Sequence, residues 1–275
     1  MNATRSLRQL FVLSAIAFLP AAASAQPDLR QLVAAAPLIF RGTNAGASES
    51  PTLPLPPPKG SIRVRVDEIL RGAETIGDLT RQDVILIAPN GSTRRTAIYF
   101  VRPVEYGKLL VAEELAEIDA PADLRALAAD LAKAEQQNAD AALSERLAAS
   151  EAVIVARVRD VRRLAKERGR PSEHDPDWAL AQLAIVRNLK GQPRITDCPG
   201  GACVEVAFAQ SDDIRWFRSP KLVPGQQAIF LLRPMDPKLL REGEKPPALY
   251  VLVDPQDVRP LGDEQRLIRL IRAQR

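Results

Sequence analysis

Ala97-Ile98-Tyr99-Phe100-Val101-Arg102-Pro103 recurs later in the chain as Ala228-Ile229-Phe230-Leu231-Leu232-Arg233-Pro234. Upstream of each copy lies a second matched pair. Val64-Arg65-Val66-Asp67-Glu68-Ile69-Leu70-Arg71-Gly72 corresponds to Leu183-Ala184-Ile185-Val186-Arg187-Asn188-Leu189-Lys190-Gly191. Two matches in the same order read as an internal duplication, which constrains the architecture more than any single motif. The expectation is two similar β-rich modules, spanning residues 26–135 and 136–275.

The elements around these matches repeat as well. Ile62, Val64 and Val66 alternate with Arg63, Arg65 and Asp67, the period of a half-buried strand. Aligned on Gly72 and Gly191, residues Ala181, Leu183 and Ile185 take the same inward positions. Leu38-Ile39-Phe40 and Val153-Ile154-Val155 read as first strands. A helical approach precedes each, Asp28 to Ala36 and Asp140 to Ser150. Val84 to Ile87 matches Val204 to Phe208, and Leu109 to Ala112 matches Leu249 to Val253. The proline at the end of each Ala-Ile-aromatic segment should stop its strand, because proline cannot donate to a ladder. Helices at Ala122 to Ala134 and Glu264 to Ala273 close the modules. In the latter, Leu267, Leu270 and Ile271 form one apolar face.

Five short strands and flanking helices, twice, predict a mainly β, α+β chain of two tandem five-stranded OB-like barrels. A sandwich or a curved open sheet is the alternative. The strand that ends in Leu70-Arg71-Gly72 or Leu189-Lys190-Gly191 resembles the hydrophobic-basic-glycine turn of the TIMP/netrin-like OB-fold family and its bacterial relatives. Pro224-Gly225-Gln226 resembles the turn before that family's aromatic strand. The family's metalloprotease inhibitors use an N-terminal cysteine as a zinc ligand. Here the first module has no cysteine, so that mechanism does not follow from the resemblance.

The N-terminus reads as an export signal. Arg5 and Arg8 precede an apolar run from Leu10 to Leu19, too short to span a bilayer. Ala23-Ser24-Ala25 supplies a small-x-small cleavage pattern, so the mature chain is expected to start at Gln26. A periplasmic or secreted protein, with no membrane segment after cleavage, follows. The full chain carries a formal net charge of +4, and removing Arg5 and Arg8 with the signal lowers it to +2. That balance is too small to imply a nucleic-acid partner.

Candidate chemistry is sparse. Cys198 and Cys203 enclose Pro-Gly-Gly-Ala, which in an oxidising compartment reads as a disulfide. His174 is the single histidine, set beside Glu173, Asp175 and Asp177. No nucleophile motif or metal-ligand spacing accompanies it. No catalytic residue, cofactor or metal is therefore expected. The candidate ligand-binding set is basic: Arg157, Arg159, Arg162, Arg163, Lys166, Arg168 and Arg170, with Trp216 as an aromatic companion. The long loops Thr43 to Lys59 and Arg162 to Asp177 would line one barrel face. The expected role is non-catalytic binding of an acidic ligand or an envelope protein. A hydrolase with a carboxylate site between the modules, and a purely structural scaffold, are the competing readings.

Overall fold

The computed structural model describes residues 28–47, 60–88, 94–106, 109–164, 176–199, 201–239, 246 and 248–274. The export signal and the proline run at 51–58 lie outside the described residues. The chain forms two compact units, which divide between Ala122 and Asp123.

In the first unit, helix α1 (Leu29–Ala35) starts where the Asp28 side chain accepts the Arg30 N–H at 3.0 Å. Strand β1 (Leu38–Ala47) and strand β2 (Ser61–Arg71) follow, then the single turn α2 (Ala73–Ile76) and strands β3 (Asp83–Ile87), β4 (Thr96–Tyr106) and β5 (Leu109–Asp119). Their order around the closed barrel is β1-β2-β3-β5-β4. Every pairing is antiparallel except β3 with β5. Leu38, Phe40, Val64, Val66, Val84, Leu86, Tyr99 and Val101 fill the interior, as the period-two pattern of β2 requires.

The second unit begins with helix α3 (Leu124–Ala149) and continues through β6 (Ala152–Arg163), β7 (Trp178–Lys190), β8 (Thr196–Cys198), β9 (Gly201–Ala209), β10 (Gln227–Pro234), β11 (Tyr250–Leu252), β12 (Val258–Arg259) and helix α4 (Glu264–Ala273). Strands β6, β7, β9, β11 and β10 form a ring, closed by the parallel pair β9–β11. This is the same order, with the same single parallel contact, as in the first unit. Leu143 and Leu147 of α3 and Leu267 and Ile271 of α4 cover the outer residues Val153, Val155, Ile229 and Leu231. The apolar face expected of α4 is thus the one it buries.

The ladder registers give the repeat alignment residue by residue. Phe40 faces Tyr99, and Ile154 faces Phe230. Val64 faces Val84, and Leu183 faces Val204. Irregularities fall at matching places, between Ile39 and Phe40 and between Val153 and Ile154. Pro103 faces Ala112, and Pro234 faces Tyr250. Ala112 therefore corresponds to Tyr250.

Three expectations need correction. The helices expected at 122–134 and 140–150 are one helix, α3, and the boundary expected at 135/136 falls inside it. Nothing between Ala134 and Asp140 breaks a helix: Glu135-Gln136-Gln137-Asn138-Ala139 contains neither glycine nor proline. The N-cap is Asp123, whose carboxylate accepts the N–H groups of Arg125 and Ala126, whereas Asp140 accepts the Gln136 side chain four residues back. Pro103 does not end its strand, because β4 pairs with β1 only from Thr96 to Val101 and keeps a single neighbour beyond it. Finally, β1 continues to Ala47, so the residues from Thr43 onward begin as strand, not loop.

The basic-glycine turn has a structural cause in both units. Arg71 Nη1 donates to the carbonyls of Val33 and Ala36, at the C-terminal end of α1. Lys190 Nζ donates to the carbonyls of Leu147 and Ser150, at the end of α3. Each cation thus satisfies helix-terminal acceptors and sits at the negative end of the helix dipole. The following glycines have positive φ, 96° at Gly72 and 65° at Gly191. A Cβ would lie 2.6 Å from the Pro37 oxygen or 2.1 Å from the Glu151 oxygen, respectively. The turn brings the end of the second strand directly against the segment that enters the first.

Cys198 and Cys203 are bonded, across the β8–β9 hairpin. Non-reducing mass spectrometry of the purified chain should show the mass deficit of one disulfide, removed by reductant. Because the enclosed loop is short, reduction should lower stability by only about 2 kcal/mol or less.

Candidate binding site on the second barrel

Strand β6 separates its side chains by face. Ile154, Ala156 and Val158 enter the barrel core. Arg157, Arg159, Arg162 and Arg163 are exposed, with Asp160 exposed among them. The register shift between Val158 and Asp160 interrupts strict alternation, so Arg159 and Asp160 are both exposed.

Several of these arginines have partners across the strands. Arg162 Nη2 lies 3.4 Å from Glu205 Oε1, and Gln182 Nε2 donates to the same oxygen at 3.5 Å. Arg159 Nη1 donates to the Gly201 carbonyl at 3.4 Å. Arg163 Nε donates to Gln210 Oε1 at 3.0 Å. Among the described residues the Arg157 side chain has no such partner. The Arg162 side chain is 56% exposed and its pair with Glu205 is long, so that pair contributes only about 0–1 kcal/mol.

The structure does not gather the whole predicted set. Lys166, Arg168, Arg170 and His174 lie outside the described residues. Trp216 is only 5% exposed, its ring centroid 5.9 Å from that of Trp178. Leu180, Ala207, Ala209 and Val251 complete that cluster. Trp216 therefore holds a loop onto the barrel and does not present a ligand face. An indole beside a run of polar residues could be read either way from sequence; burial decides it.

Around Trp216 the chain forms a compact turn. The Asp213 carboxylate accepts the Arg215 N–H at 2.8 Å, and the Asp213 carbonyl accepts those of Trp216 and Phe217. Lys221 Nζ bridges the base of the turn, donating to Ala209 and Ser211 carbonyls at 2.7 Å each and to Trp216 at 3.3 Å. Ser219 Oγ donates to the Val253 carbonyl.

Elsewhere in this unit a shallow recess is lined by Ser144, Glu145, Ala148, Lys190, Ile271 and Gln274. Its one ammonium, Lys190, already donates to the α3 carbonyls. Among the described residues no group of three or more histidine, cysteine, aspartate or glutamate side chains is placed to hold a metal. Among the same residues no helix is long and apolar enough to cross a membrane.

No protein-family model matches this chain, and no curated protein sequence matches it significantly. The site's own geometry carries the functional reading.

Proposed function

We propose that the chain is an exported, non-catalytic binding protein whose second OB-like barrel takes an acidic ligand along β6. The observation that supports this most is the row of exposed arginines, Arg157, Arg159, Arg162 and Arg163, on one strand. Guanidinium offers paired donors to carboxylate, sulfate or phosphate groups, and a rigid ladder fixes the spacing of those donors. Export is supported by the N-terminal sequence and by the Cys198–Cys203 bond. Distant kinship with the TIMP/netrin-like group belongs to the same proposal, supported by the two basic-glycine turns.

An acidic polysaccharide column tests the reading. The chain purified from the periplasm should be retained on dextran sulfate and released by salt, since the Debye length falls to about 3 Å at 1 M. Arg157→Ala/Arg159→Ala/Arg162→Ala should lose most retention, while stability changes by about 0.5 kcal/mol per site or less, as for exposed positions. Unchanged retention of the triple variant would reject β6 as the site.

A further inference from the structure

The turn around Trp216 exposes what globular surfaces usually hide. Ile214 is 81% exposed and Phe217 55% exposed, on either side of the buried indole. The turn is nevertheless firmly built: Trp216 anchors it, the Asp213 backbone and side chain wind it, and Lys221 clasps its base. Two apolar side chains are thus held outward by a rigid support. Arg215 follows Ile214 and Arg218 follows Phe217. Arg215 lies 4.9 Å over the Trp216 ring and Arg218 lies 5.5 Å over the Phe217 ring. The Arg218 guanidinium therefore flanks the Phe217 tip, and that of Arg215 caps the anchoring indole.

The acidic groups nearby are accounted for. The Asp213 carboxylate turns back onto the Arg215 N–H, and Asp212 acts electrostatically on Lys221 at the base of the turn. We propose that residues 213–218 form an interfacial anchor for an anionic lipid surface, with Ile214 and Phe217 entering the headgroup boundary and Arg215 and Arg218 contacting lipid phosphates. Apolar tips bordered by cations on a convex turn match that layered chemistry, and a lipid surface needs no complementary pocket. The anchor uses none of the β6 arginines.

Vesicle flotation with the chain purified from the periplasm tests it. The chain should float with vesicles of mixed phosphatidylglycerol and phosphatidylcholine and stay behind with phosphatidylcholine alone. Ile214→Asp/Phe217→Asp should weaken binding at least tenfold. Arg215→Gln/Arg218→Gln should weaken it by about fivefold per arginine, the equivalent of about 1 kcal/mol each. Melting temperatures should stay at the parent value; if the aspartates lower it, Ile214→Ser/Phe217→Ser repeats the measurement. Failure of the parent chain to float, equal flotation without phosphatidylglycerol, or parent-like flotation of the folded loop variants would overturn the anchor. So would loss of flotation in the β6 triple variant alone, which would move lipid binding to β6. Flotation without dextran sulfate retention would instead reject the β6 reading and leave the anchor standing.

Discussion

Gly191→Ala should destabilise the second unit by about 3–4 kcal/mol, among the largest effects of any single methyl group in this chain. Two costs combine. The backbone holds φ at 65°, a conformation that side-chain-bearing residues adopt poorly. The new Cβ would also stand 2.1 Å from the Glu151 carbonyl oxygen, a contact with backbone that no rotamer change relieves. Gly225→Ala provides the control, because φ is 87° there but nothing lies within 4 Å of the added carbon. It should cost only about 1 kcal/mol. Urea unfolding of both variants separates strain from clash. Equal midpoints would mean that the close approach at Glu151 contributes nothing. Gly72→Ala should repeat the larger effect in the first unit, since the Pro37 oxygen occupies the matching place.

Asp257→Ala should cost the second unit about 3 kcal/mol. The Asp257 side chain is fully buried. It accepts from Arg146 Nη1 at 2.8 Å and Arg233 Nη2 at 3.2 Å, and from the N–H groups of Val253 and Asp254 at 3.3 and 3.1 Å. Removal takes the shared acceptor from Arg233 and two backbone donors and leaves Arg146 with Asp254 alone, the case in which a buried pair is costly to break. The comparison is Asp254→Ala. Asp254 holds Arg146 Nη2 at 2.6 Å but is 36% exposed, so water can replace it. Its loss should cost less than half as much. Thermal unfolding should rank the variants in that order, with a drop of about 10 °C for Asp257→Ala in a domain of this size. A parent-like melting temperature would show that the network adds no net stability.

Much of the fold was legible because duplication supplied an internal alignment. Two copies sharing Leu-[Arg/Lys]-Gly and Ala-Ile-aromatic segments fixed equivalent strands, and the ladders reproduce those equivalences. Barrel closure depends on the parallel pairs β3–β5 and β9–β11, whose alignment no local pattern records. Helix α3 was misread as two because the repeat logic demanded an end where the residues provide none. The candidate site was less legible. Alternation exposes Arg157, but the irregular register after Val158 is invisible in sequence. Trp216 and Phe217 are neighbours with opposite fates, one buried and one exposed. The Asp257 network was missed because its partners, Arg146 and Arg233, are far apart along the chain and carry no motif.

The antiparallel pairs β1–β4 and β6–β10 have a consequence in time. Phe40 meets Tyr99, and Ile154 meets Phe230, only after the chain between them has laid down the intervening strands. Such contacts require a long loop to be fixed before they stabilise anything, so they form late. Each unit should therefore pass through a state in which strands closer along the chain are paired and the cylinder is still open. Refolding on the millisecond-to-second scale, rather than the microsecond scale of helical bundles, is the kinetic signature of that seam.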